Sequence, residues 1–159
     1  MTEGWAVAIV EPANASDIAA IGELWSEYWR SLGFSPGFQD FAEELRTLPG
    51  KYAPPAGRLL LVRVDGKPAG TAALRPLRQD ACEGKRLYVR SAYRRRGVAR
   101  SLLAKLIEEA RRCGYGNLYG DTLPAMASAL DLYRGMGFVQ TGPYSDDPTP
   151  GAIYLRLSL

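Results

Sequence analysis

The sequence predicts a single mixed α/β domain over residues 1–159, with strands and helices in the order βααβββαβαββ. Three observations carry this. Short β-rich runs and stripes of apolar residues at three- and four-residue spacing alternate along the chain. Two helical stripes precede a central run of strands and two follow it, the pattern of a mixed sheet covered by helices. The 159 residues contain no repeat, low-complexity tract or long linker, and that length suits one core.

WAVAIVEPA (5–13) reads as the first strand. SDIAAIGELWSEYWRSLG (16–33) reads as a helix. Ser16 is its expected cap, Asp17 suits the positive end of the dipole, and Gly33 is placed to end it. Ile18, Ile21, Leu24, Trp25, Tyr28, Trp29 and Leu32 form its apolar stripe. FQDFAEELRTL (38–48) predicts a second, shorter helix, stopped by Pro49 and the segment GKYAPPAG. RLLLVRV (58–64), the Asp65-Gly66 turn and KPAGTAALRPL (67–77) predict a hairpin, and ACEGKRLYVR (81–90) another strand. After Gly97 a helical stripe returns at Ala99, Leu102, Leu103, Leu106, Ala110 and Cys113, closed by Gly114. NLYGDTL (117–123) is strand-like. Pro124 is expected to open a helix that Gly137 ends. FVQTGPY and AIYLRLSL (152–159) give two last strands around the polar loop SDDPTPG (145–151).

Composition narrows the chemistry. The chain is 47% hydrophobic and 23% charged, as ordinary soluble proteins are. No apolar run is long enough for a bilayer, and no secretory signal is read at the N-terminus. Cys82 and Cys113 have no CxxC spacing, so reduced thiols in a cytoplasmic protein are expected. There is no histidine. Ser-His-Asp and Cys-His catalysis are therefore excluded, no metal site is expected, and acid–base work falls to Glu, Asp, Tyr, Lys, Cys or water.

The net charge of +3 is unevenly spread. Ala81 to Gly116 holds ten Lys/Arg against three Asp/Glu, a local +7, while the rest of the chain has ten against fourteen, or −4. A local positive field suits a compact anion better than a polyanion. Its centre is YRRRGVARSLL (93–103), a basic-glycine loop between a strand end and a helix start. Helix starts offer unpaired backbone N–H groups and a positive dipole end, which bind phosphate. Gly97 allows close approach and Ala99 does not obstruct it. A solvated charge run is the competing reading of RRRG alone. The loop is not a GxxxxGK[ST] phosphate loop, and GYGNLYG (114–120) does not match GxGxxG.

RLYVRSAYRRRGVARSLL resembles the acetyl-CoA-binding motif of the GNAT N-acetyltransferases. Arg94-x-x-Gly97-x-Ala99 is similar to their R/Q-x-x-G-x-G/A turn, at the expected distance from the strand end LYV (87–89). SALDLYRGMGF (128–138) is similar to their A-x-x-L-Y-x-x-x-G-F segment through Ala129, Leu132, Tyr133, Gly137 and Phe138. Both occur in the right order, about thirty residues apart, and the element order fits the GNAT acyl-CoA N-acyltransferase fold along the whole chain. CEGKRLYV, DTLPAM and the late PY look most like a bacterial branch of small-molecule enzymes. One departure is Met126, where many members carry Asn.

The resemblance implies an acyltransferase that moves acetyl from acetyl-CoA to an amine acceptor. It places Arg94, Arg95, Arg96, Gly97, Val98, Ala99, Arg100 and Ser101 around the pyrophosphate. Leu87, Tyr88 and Val89 would offer main chain to the pantetheine arm. Arg134 is placed either at the 3′-phosphate or in solvent. Tyr133 matches the tyrosine that protonates the departing thiolate, although helical spacing alone reads it as a ring packed on the sheet. Glu83 is implied as general base or acceptor-orienting acid, and reads equally as an exposed strand residue paired with Lys85 or Arg86. Asp121 is second. Trp25, Tyr28, Trp29, Glu44 and Tyr144 are candidates for the acceptor pocket, with Tyr28 and Tyr144 favoured over the tryptophans, whose default is core packing. GNAT domains are often dimers, which extends the expectation of a homodimer here. A catalytically silent acyl-CoA sensor would show the same motifs. A nucleic-acid-binding module would need a wider basic surface and exposed aromatics, so no nucleic-acid or membrane partner is expected.

Overall fold

The computed structural model describes residues 4–33, 41–124, 126–144 and 151–159. Their elements follow the expected order: β1 (Val7–Val10), α1 (Ala15–Leu32), α2 (Phe41–Arg46), β2 (Arg58–Val64), β3 (Lys67–Arg78), β4 (Ala81–Val89), α3 (Val98–Arg112), β5 (Asn117–Thr122), α4 (Ala127–Gly135), β6 (Val139–Thr141) and β7 (Ile153–Ser158). The strands form one seven-stranded sheet in the order β1-β2-β3-β4-β5-β7-β6. Pairing is antiparallel except between β4 and β5.

Local chemistry corrects some element ends. Asn14, not Ser16, caps α1: its side-chain oxygen accepts from the Asp17 N–H at 2.9 Å, and the Asp17 carboxylate accepts from the Ala13 N–H at 2.9 Å. Ser16 lies inside the first turn. Gly33 ends the helix with φ 73°, as read. α2 is shorter than the expected 38–48, and positions 38–40 lie outside the described residues. α4 starts at Ala127 rather than at Pro124. FVQTGPY yields only the three-residue strand Val139–Thr141. The 145–151 loop, apart from Gly151, lies outside the described residues.

Strand alternation sorts the core onto two faces. Leu59, Leu61 and Ala73 pack with Ile21, Leu24, Trp25 and Trp29 of α1. Leu60, Val62 and Leu74 pack with Leu102, Leu103 and Leu106 of α3, and α4 rests on the same face through Leu132 and Tyr133. Each buried leucine contributes about 1.5–3 kcal/mol.

The site is created where the sheet fails. β4 and β5 pair only at Ala81–Asn117, Cys82–Leu118 and Glu83–Tyr119. Beyond Glu83 the strands part. On its other side β4 carries a bulge: the β3 partners step from Ala73 to Thr71 while β4 steps from Lys85 to Tyr88. Arg86 in that bulge has φ 58°, rare for a residue with a side chain. Bulges bend a strand and increase its twist, which turns β4 away from β5.

Candidate active site

The parted strands leave an opening through the sheet. On the α1 face it is an open cleft of about 640 Å³, counting the solvent at its mouth, lined by Tyr28, Trp29, Leu32, Lys85, Arg86, Asp121, Met126 and Tyr133 among others. On the α3 face a smaller groove is lined by Leu103, Leu106, Leu118 and Phe138. Gly84, Lys85, Leu87 and Tyr133 line both, so Tyr133 stands at the junction.

Beside the α3 face lies the basic loop. Gly97 is the N-terminal residue of the turn into α3, with φ 82°, and Arg95 has φ 66°. Ser101 N–H is already spent on the Gly97 carbonyl at 3.0 Å. The backbone N–H groups from Arg95 to Arg100 have no hydrogen-bond partner among the described residues. Val98 is buried in the core, so only its main chain faces this site. Arg94 is not free: its Nε donates to the Val89 carbonyl at 2.7 Å, closing the end of β4, and its guanidinium lies over the Tyr88 ring. Arg96 lies over Trp5 at 4.4 Å. Arg95, Arg100 and Arg134 are exposed.

On the α1 face a chain of alternating charge runs Arg86–Glu44–Arg75–Glu83–Lys85–Asp121. Arg86 and Arg75 approach the two Glu44 oxygens at 2.6 and 2.7 Å. Arg75 then meets Glu83 at 3.0 Å, Lys85 meets Glu83 at 3.3 Å, and Lys85 meets Asp121 at 3.8 Å. Tyr52 donates to Glu44, and Tyr144 donates to Glu83 at 2.6 Å. Two buried polar atoms lack partners among the described residues, Arg86 Nε and Thr122 Oγ1. Both belong to residues that line the cleft, and buried polar groups without partners are rare in proteins.

A model of the GNAT acetyltransferase family matches residues 18–138. The chain belongs to the GNAT acetyltransferase family. An N-acetyltransferase of Schizosaccharomyces pombe, itself uncharacterised, is 32% identical over 95% of this chain and 99% of its own. A GNAT acetyltransferase structure from Staphylococcus aureus superposes with a TM-score of 0.80 at 20% identity, over 96% of this chain and 99% of that one. An acetyltransferase of Salmonella typhimurium, solved with its cofactor acetyl-CoA, has a TM-score of 0.71 at 25% identity, over 96% and 94% of the two chains. The Arg94–Ala99 turn joins β4 to α3, and Ala129, Leu132 and Tyr133 lie on α4.

The environments of the individual acids and phenols differ. Burial pushes the Tyr133 phenol well above its usual range, and nearby Tyr28 and Asp121 push it further. Its ring packs edge-on against Phe138 at 5.2 Å, so packing and site exposure coexist. Burial would raise the Glu83 carboxyl, but Lys85, Arg75 and the Tyr144 hydroxyl outweigh it and hold Glu83 below the usual range. Glu83 is buried rather than exposed, and it is not among the residues facing the cleft; Asp121 is. Of the two expected partners it meets Lys85, alongside Arg75 and Tyr144, while Arg86 goes to Glu44.

The aromatic candidates separate in the same way. Trp25 is core, its Nε1 donating to Thr71. Trp29 stacks on Phe41 and also edges the cleft. Tyr28 lines the cleft beside Tyr88. Tyr144 does not; it joins Tyr119 and Tyr154 in a ring cluster and gives its hydroxyl to Glu83. Leu87 borders the opening, the Tyr88 side chain turns to Glu27 and Tyr28, and the Val89 carbonyl is occupied by Arg94.

Sequence reasoning named Lys85 only as a partner and did not name Arg75. A signal existed for Lys85: it lies two residues after Glu83 on one strand, hence on the same face. Its meeting with Asp121 follows from the Glu83–Tyr119 register continued by two residues, which only the fold reveals.

Proposed function

We propose that this chain is an N-acetyltransferase that transfers acetyl from acetyl-CoA to the primary amine of a small molecule or peptide, by direct attack with both bound. The observation that carries it is Tyr133 at the junction of the two openings, with a run of unpartnered N–H donors among the described residues on one side and an aromatic cleft that holds Asp121 on the other.

The residues present fit acetyl-CoA. The unpartnered N–H groups from Arg95 to Arg100 and the positive end of α3 suit a pyrophosphate, and Gly97 leaves the approach clear. Arg95 and Arg100 add charge from exposed positions. The β5-side edge of β4 beyond Gly84 has no partner strand among the described residues, so its main chain can receive an extended arm like an added strand. The relative from Salmonella typhimurium, solved with acetyl-CoA, supports this reading. Bound there, acetyl-CoA supplies the thioester carbonyl that an amine attacks.

The chain's own groups do the rest. A backbone N–H on the open edge of β4 would be the donor that polarises the carbonyl oxygen. Tyr133 keeps its proton at neutral pH, because burial disfavours the phenolate, and can give it to a departing thiolate. Lys85 and Asp121 border the side where the amine enters; the amine attacks in its neutral form, and the proton it loses on acylation passes to the Asp121 carboxylate or to water.

Tyr133→Phe tests this assignment. We expect millimolar acetyl-CoA to raise the melting temperature of wild type and variant alike. Thiol release in the presence of an accepted amine should fall about 100-fold in the variant. Unchanged turnover would remove Tyr133 as the acid, and no thermal shift in either protein would defeat the cofactor assignment.

A further inference from the structure

The α1-face cleft has walls and charges that together select an acceptor. Tyr28, Trp29, Leu32, Met126 and Tyr133 make much of its lining apolar or aromatic. Its charged lining residues among those described are Lys85, Arg86 and Asp121. Both cations are committed. Arg86 is 4% exposed in its side chain, is paired with Glu44, and lies 5.3 Å from the centres of the Trp29 and Phe41 rings. Lys85 is 9% exposed and sits closer to Glu83, at 3.3 Å, than to Asp121, at 3.8 Å. Arg86 Nε has no partner among the described residues but is buried, and both head groups already face carboxylates.

Asp121 is in the opposite condition. It is the one carboxylate among the described residues that faces the cleft, and its side chain is 19% exposed. Lys85 is its ion-pair partner, beyond hydrogen-bond distance. A carboxylate offers lone pairs for several donors, so Asp121 retains unmet accepting capacity where the acceptor must enter. Glu83 explains why it stays open. Arg75 and Tyr144 fix the Glu83 carboxylate from one side, and that fixed charge draws Lys85 away from Asp121.

We infer that the acceptor is a primary monoamine on an apolar alkyl or aryl body, without a carboxylate beside the nitrogen, and that Asp121 receives its ammonium group while Glu83 acts as a positioning residue by restraining Lys85. This rests on the acetyltransferase reading and adds the acceptor class to it. A carboxylate next to the amine would meet Asp121 with no uncommitted cation among the described lining residues to offset the repulsion. Among the described residues the cleft lining offers a polyamine no second carboxylate for its further charges.

The test is calorimetric titration of phenethylamine, phenylalanine and spermidine into the full chain, with and without saturating coenzyme A. Wild type should bind phenethylamine at least about tenfold more tightly than either competitor. Asp121→Asn should weaken phenethylamine by about tenfold or more while leaving the acetyl-CoA thermal shift intact. Lys85→Met should bind it at least as tightly as wild type. Glu83→Gln should weaken it a few-fold, and adding Lys85→Met to Glu83→Gln should restore it, which loss of mere structural support would not do. Phenylalanine or spermidine as the tightest ligand would overturn the inference. So would wild-type affinity in Asp121→Asn, weakened binding in Lys85→Met, a failed restoration, or no phenethylamine binding by the wild type. Absence of an acetyl-CoA thermal shift would instead defeat the acetyltransferase reading, and the amine titrations would still judge the acceptor class.

Discussion

Two basic regions border β4, and they are built in opposite ways. On the α1 face Arg75, Lys85 and Arg86 are largely buried, and each touches a carboxylate. On the α3 face Arg94, Arg95, Arg96 and Arg100 make no ion pair among the described residues, and they surround main-chain donors that also lack partners. The residue types are the same. What differs is whether the protein has satisfied them. A satisfied charge holds elements together, and a region of unsatisfied donors is prepared for a ligand. Net charge over a sequence window cannot separate the two, because it counts the basic residues of both regions alike.

The comparison can be broken most directly at Glu44, which accepts from two arginines. Glu44→Gln leaves Arg86 and Arg75 without their common counter-ion, and we expect a loss of about 3 kcal/mol in chemical denaturation. A loss under about 1 kcal/mol would mean that the network is as weak as a surface salt bridge. Acid should act on the same region. The folded-state value of Glu83 lies below its unfolded one, so its contribution is complete above the ordinary carboxylate pKa. As pH falls, the unfolded chain takes up the proton first, and the contribution is lost as pH passes down through the folded value. Stability measured against pH should therefore fall less steeply on the acid side in Glu83→Gln than in wild type.

The other region should respond in ligand binding more than in stability. Gly97→Ala forces a side chain into left-handed backbone, at a cost of about 1–2 kcal/mol. If the loop yields instead, acetyl-CoA affinity should fall about tenfold, as read by titration. Arg95→Ala should have the smallest effect, an affinity loss of about two- to fivefold that fades as salt is raised. A larger, salt-independent loss would show that Arg95 makes a buried contact with the ligand.

Much of the fold was legible because it rests on local rules. The apolar stripe of α1, the Asp65-Gly66 turn with φ 51° and 81°, and Gly33, Gly97 and Gly137 at left-handed positions are all read from neighbours in sequence. Asn14 displaced Ser16 as the cap because two competent capping residues stand two positions apart, and only the chain path through Ala13 selects one. The turn from Arg94 to Arg100 was legible for the same reason: one turn presents consecutive main-chain groups, so its spacing suffices. The charge network on the α1 face was not. Glu44, Arg75, Glu83 and Asp121 come from α2, β3, β4 and β5, and their meeting depends on strand register and the bulge at Arg86.

The sequence by itself therefore determined the family, the element order and the turn that can hold a phosphate, since each is encoded by residues a few positions apart. Only the tertiary structure decided which charges are already used. It spent Arg94 on the end of its own strand and Glu83 on a buried network, and it left Asp121 facing the cleft. The physical reason is that a charge's function depends on its unmet hydrogen bonds and its access to solvent, and both are set by neighbours brought from distant parts of the chain.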